Sequence, residues 1–96
     1  MKKAKPVSRV ENALVRVTEW QFEPGAATGH HRHEFDYVVV PLVDGLLRLI
    51  DAGGENSAEL RKGVAYFRKA GVEHDVINAG DQPLAFVEIE LLDHPL

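Results

Sequence analysis

The stretch GHHRHEFDYVVVPLVDG, residues 29–45, runs from a cluster of imidazoles into a β-branched segment and ends on the turn dipeptide Asp44-Gly45. Three of the five histidines in the 96-residue chain, His30, His31 and His33, fall within four consecutive positions. Side chains of an extended segment alternate between faces, so His31 and His33 point one way and His30 and Arg32 the other. Two imidazoles about 7 Å apart on one strand can converge on a single ion, and imidazole suits Zn, Fe, Ni and Cu. The same spacing also occurs in a solvated basic loop. The segment 37–43 that follows has the composition of a strand and is closed by its turn.

Outward from this stretch the rhythm repeats. Apolar runs at 14–22, 46–50, 58–61, 64–67, 76–77 and 84–92 are separated by turn signals, among them Pro24-Gly25 and the segment 51–56 with Gly53-Gly54. Such spacing predicts an all-β barrel or sandwich, and no segment keeps a helical period long enough to predict a helix. Residues 1–9, rich in lysine and containing Pro6, are expected to form an arm, disordered or docked as a strand on a partner subunit. Residues 10–96 make a single domain, since so short a chain cannot close two cores.

Composition narrows the chemistry. The formal charge is −4, from 11 basic and 15 acidic residues, and the basic residues are scattered apart from Lys2, Lys3 and Lys5. No nucleic-acid footprint is present, no apolar run reaches the roughly 20 residues of a membrane span, and the start lacks an apolar leader. The expectation is a cytoplasmic protein that binds neither nucleic acid nor membrane. The chain has no cysteine, so any metal must be held by imidazole and oxygen.

The histidine stretch resembles the first motif of the cupin superfamily, G-x5-H-x-H-x3,4-E-x6-G. Gly25 is followed by five residues, then His31, Arg32 and His33, and Gly45 closes the motif. The second cupin motif, G-x5-P-x-G-x2-H-x3-N, is met by Gly63, Gly71, His74 and Asn78, with Lys69 in the proline place. The motifs are separated by 17 residues and together reach over a little more than half of the chain. The wording of residues 35–45, 66–74 and 86–91 is similar to a narrower group of small single-domain cupins, some of them assigned to β-alanine degradation.

The resemblance implies a double-stranded β-helix, a jelly-roll-like β-barrel, holding one divalent transition metal (Fe, Zn, Ni or Mn) on His31, His33 and His74. The family's glutamate ligand falls on Tyr37 or Val38, so the site has three histidines and no carboxylate from that strand. Tyr37 shares parity with His31 and His33. It is either a core aromatic or a contact of the metal or substrate.

A metal on three neutral imidazoles keeps its +2 charge and favours an anionic ligand. Arg68, beside the proline place, is expected either to face the interior and grip a carboxylate or to sit at the rim paired with Glu88 or Glu90. Tyr66 joins Tyr37 and Arg68 as a candidate pocket residue. Glu88 and Glu90 are expected on a solvated or intersubunit face opposite Val87, Ile89 and Leu91, with an inward glutamate as the alternative. His30 and His94 are expected at the surface, and Asn78 in a turn.

Two functions follow from different classes. One is an oxygen-dependent or Lewis-acid enzyme on a small carboxylate in amino-acid catabolism. The other is a non-catalytic metal-loaded module that binds or senses a small acid. A homodimer is expected, because Trp20, Phe22, Phe67 and Phe86 are more aromatic surface than one small core should hide.

Overall fold

Along residues 37–41 burial alternates: Tyr37, Val39 and Pro41 are buried, whereas Val38 and Val40 are half-exposed. This period of two marks a strand with one face on the core. In the computed structural model, which describes residues 2–92, nine strands carry the fold and no helix occurs among the described residues. They are β1 (Lys5–Glu11), β2 (Val15–Phe22), β3 (His31–Arg32), β4 (Tyr37–Pro41), β5 (Gly45–Asp51), β6 (Gly54–Leu60), β7 (Tyr66–Arg68), β8 (Glu73–Asn78) and β9 (Leu84–Leu91).

Two sheets face each other. One has the order β1-β2-β9-β4-β7 and the other β3-β8-β5-β6. The core between them gathers Phe22, Tyr37, Val39, Leu47, Leu60, Val76, Leu84 and Phe86, with Trp20 and Leu49 packed against it. Phe22 and Phe86 meet with ring centroids 5.4 Å apart. The all-β architecture expected from the sequence is therefore present, with its core on the inward residues of both sheets.

Three local expectations are corrected. The segment 51–56, read as a loop, is a tight hairpin: Asp51 already pairs with Gly54, and β6 starts there. Of the segment 1–9, expected as an arm, the described residues 2–9 follow the molecule itself: Lys3 forms an isolated bridge with Ala27, and β1 pairs with β2 along Lys5 to Glu11. Pro6 is compatible with a strand because β1 is a sheet edge. Of the four aromatics expected at a subunit contact, Phe22 and Phe86 are buried and Trp20 is packed on the core, leaving only Phe67, at 52% exposure, on the surface.

Candidate metal centre

The site forms where the two motifs meet in space. β3 pairs with β8 so that His31 lies directly across from His74. His33 follows β3 and is fixed by its backbone: its N–H donates to the Val72 carbonyl at 2.8 Å, and its carbonyl accepts from Gly71 N–H at 2.7 Å. Gly71 has φ +100°, a conformation that residues with a Cβ rarely adopt. A glycine in the second motif thus anchors a histidine of the first.

The three rings point their Nε2 atoms at one another. His31 Nε2 lies 2.9 Å from His33 Nε2, which lies 3.2 Å from His74 Nε2. His31 Nδ1 is 2.9 Å from the Gly29 carbonyl and 3.2 Å from Thr28 Oγ1. Its proton belongs on Nδ1, because a carbonyl can only accept, and this leaves the Nε2 lone pair turned inward. Burial and the neighbouring His31 push His33 down to about 4, and burial together with His31 and His33 does the same for His74, to about 4. Two neutral imidazoles and a third with its lone pair inward form an electron-rich trio at mutual distances suited to one cation. That donor set fits a divalent transition metal.

Around the trio is a cavity of about 60 Å³, lined by the three histidines and by Tyr37, Tyr66, Arg68 and Glu88 among others. An outer recess of about 240 Å³ shares Trp20, Thr28, His31, His33 and Glu88 with it and adds Arg16, Arg32, Glu34 and Glu90. His31 and His33 line both spaces, whereas His74 lines only the inner one.

Tyr37 is buried and stacks on His33, with ring centroids 4.0 Å apart and planes 20° from parallel. Burial pushes the hydroxyls of Tyr37 and Tyr66 above the ordinary phenol range, so both stay protonated. Arg68 lines the cavity, and among the described residues it forms no salt bridge to Glu88, Glu90 or any other carboxylate.

β9 corrects the sequence reading. Glu88 faces the cavity, with its side chain 12% exposed and Oε1 4.0 Å from His33 Nδ1. Burial, reinforced by the neighbouring Glu90, pushes its carboxyl up to about 7. Its inward parity follows from register: Glu88 lies across from Val39 of β4, whose side chain is in the core. Glu90 shares that face and is bound by Arg16, whose Nε and Nη2 donate to its two carboxylate oxygens at 2.8 and 3.1 Å.

The remaining candidates fall outside the site. His30 is exposed and pairs with Glu73 at 2.8 Å. Asn78 is buried and holds a turn, donating to the Phe22 and Gln82 carbonyls and accepting from Gly80 N–H. His94 lies outside the described residues.

Comparison with known proteins agrees with this fold. Residues 18–90 match the family described as Cupin domain. A curated relative, beta-alanine degradation protein BauB of Pseudomonas aeruginosa, is 59% identical over 88 residues, which cover 92% of this chain and 93% of that protein. The crystal structure of a cupin domain from Bordetella pertussis Tohama I superposes with a TM-score of 0.92 at 49% identity, covering 94% of each chain. A conserved protein with a double-stranded beta-helix domain from Klebsiella pneumoniae has a TM-score of 0.76 at 21% identity, covering 93% of this chain and 76% of its own, a likeness of fold.

Proposed function

The chain belongs to the cupin family, and from that premise we propose that it holds one divalent transition metal on His31, His33 and His74. It acts there as an oxygen-dependent or Lewis-acid enzyme on a small carboxylate in amino-acid catabolism. The observation that carries this reading is the convergence of three Nε2 atoms beside a cavity lined by a guanidinium without a carboxylate partner. The name of the BauB relative, which refers to β-alanine degradation, supports the metabolic side.

When bound, the metal would supply Lewis-acid polarisation or redox chemistry with dioxygen. The chain's own residues do the rest. Arg68 would take the substrate carboxylate through two parallel N–H donors. Tyr37 and Tyr66 line the cavity with hydroxyls that stay protonated, so they would serve a ligand as hydrogen-bond donors rather than as bases. Trp20 and Phe86 give the space apolar walls, which would strengthen polar contacts made inside it.

The reading includes a homodimer, supported by an apolar outer face on the five-stranded sheet, and a cytoplasmic setting. No helix among the described residues is long and apolar enough to cross a membrane.

Anaerobic loading with Fe(II), followed by oxygen uptake with small carboxylates and amino acids, tests the enzyme. Uptake that requires one of these compounds supports oxygen-dependent chemistry, and conversion of a compound by Zn(II)- or Ni(II)-loaded protein without uptake supports the Lewis-acid route. Binding with no conversion under any metal overturns the enzyme in favour of a binding module.

A further inference from the structure

The five-stranded sheet brings an arginine and a glutamate to the inner cavity from the strands on either side of β4. β4 lies between β7 and β9, with Arg68 of β7 across from Tyr37 and Glu88 of β9 across from Val39. At about 4.8 Å per strand step and 3.3 Å per residue, this register separates the two Cα atoms by roughly 12 Å, a gap both side chains narrow from their own end. Both line the same cavity.

Neither group has an oppositely charged side chain within hydrogen-bond distance among the described residues. Among the described residues no carboxylate forms a salt bridge with Arg68, and the one ion-pair neighbour of Glu88 is His33 Nδ1 at 4.0 Å, beyond hydrogen-bond distance. Glu90, one position along the same face, is fully engaged by Arg16. Glu88 makes no salt bridge or hydrogen bond with that pair, although Glu90 and Arg16 both act on it through space, and its side chain is only 12% exposed. The walls of the cavity also include Trp20, Val39 and Phe86.

A guanidinium and a carboxyl group that line one small, largely apolar space and form no salt bridge with each other are engaged together by a ligand carrying both complements. We infer that this ligand is a short zwitterion, a small amino acid whose carboxylate sits on Arg68 and whose ammonium group sits on Glu88. This rests on the carboxylate-binding reading above and narrows it. A plain carboxylate would leave Glu88 against a hydrocarbon chain, and a plain amine would leave Arg68 so. The cavity of about 60 Å³ admits a ligand of only a few non-hydrogen atoms, at roughly 10–15 Å³ for each water-sized group.

Calorimetric titration of Zn(II)-loaded protein with β-alanine, propionate and propylamine, three molecules of similar size, tests the assignment, with zinc content measured on the same samples. β-Alanine should bind at least about tenfold more tightly than either of the other two. In Glu88→Gln its advantage over propionate should shrink below about threefold, and in Glu88→Asp it should persist. The ratio is taken within each variant, so a general loss of stability or of metal cancels. Equal binding of propionate and β-alanine to the wild type, or an unchanged ratio in Glu88→Gln, overturns the zwitterion while leaving the carboxylate-binding metal centre standing. Binding of none of the three to protein that contains zinc overturns both.

Discussion

Of the three histidines, His31 has the orientation most fully set by its surroundings. Its Nδ1–H donates to the Gly29 carbonyl, and the register with β8 aims its Nε2 at the other two rings. His31→Ala, His33→Ala and His74→Ala should each weaken Zn(II) binding by about a hundredfold or more, since even loss of a supporting partner of a ligand costs 10–100-fold. His30→Ala, at an exposed ring paired with Glu73, should bind as the wild type does. Competition titration against a chromophoric chelator checks this, and similar affinities in all four variants would refute the assignment.

The buried imidazoles also set a pH dependence in metal-free protein. His33 and His74 are held at about 4, against about 6.5 in an unfolded chain. Between these values the unfolded chain binds protons that the folded one refuses, so stability falls as pH falls. Glu88 works the other way: its carboxyl, at about 7 when folded and about 4.3 when unfolded, favours the folded chain on acidification. Two imidazoles outweigh one carboxyl, so chelator-treated protein should melt lower at pH 5 than at pH 6.5, and Glu88→Gln should steepen the drop. A melting temperature that rises on acidification would contradict the burial of these rings. The three histidines that cluster were legible in the sequence because their motifs carry fixed spacings. Glu88 was not, because it belongs to neither motif and its partners are set by strand pairing far along the chain.

At the scale of elements, β9 shows why alternation failed as a guide. Phe86 and Glu88 face inward while Val87, Ile89 and Leu91 lie on the outer side, so the strand is apolar on both faces and hydropathy alone does not say which is the core. The sequence reading chose the longer apolar series. β4 carries the same ambiguity, yet there Tyr37 shares parity with the histidines and that connection oriented it correctly. β1 escaped notice because lysine and proline mask Val7 and Val10, which register with Glu19 and Val17 of β2.

The loop between β7 and β8 offers a test at this scale. Gly71 joins the backbone of His33 to the second motif while holding φ +100°. Gly71→Ala should cost about 1–2 kcal/mol, a fall of roughly 4–16 °C in melting temperature for a domain of this size. It should also loosen Zn(II) binding, because the strain is relieved by shifting His33. A variant as stable as the wild type with unchanged zinc affinity would show that the loop does not position that ligand.

For the whole molecule, the outer face of the five-stranded sheet matters most after the site. Strand pairing lines up Phe67, Val38, Ile89, Val17 and Val10 in one apolar row across all five strands, with Val40, Val87, Val15 and Leu91 beside it. Five strands of this length present on the order of 500 Å² in projection, and a pleated face has more accessible surface than that, near the roughly 800 Å² per partner of a standard interface. A second copy fits this flat face better than an irregular partner, because the same patch can meet itself about a twofold axis. Light scattering at micromolar concentration should therefore give the mass of two chains, and Phe67→Lys should shift it toward one. A wild type that runs as one chain would contradict the dimer.

The three histidines come from two distant segments joined through the β3–β8 pair, so a bound metal ties the two motifs together and its coordination reports on the whole arrangement. X-ray absorption spectroscopy of protein loaded with one equivalent of Zn(II) reads that coordination directly. The prediction is a shell of three imidazole nitrogens at about 2.0–2.1 Å, completed by oxygen from solvent or ligand. A shell with fewer than three imidazoles, or protein that does not retain zinc, would contradict the three-histidine centre.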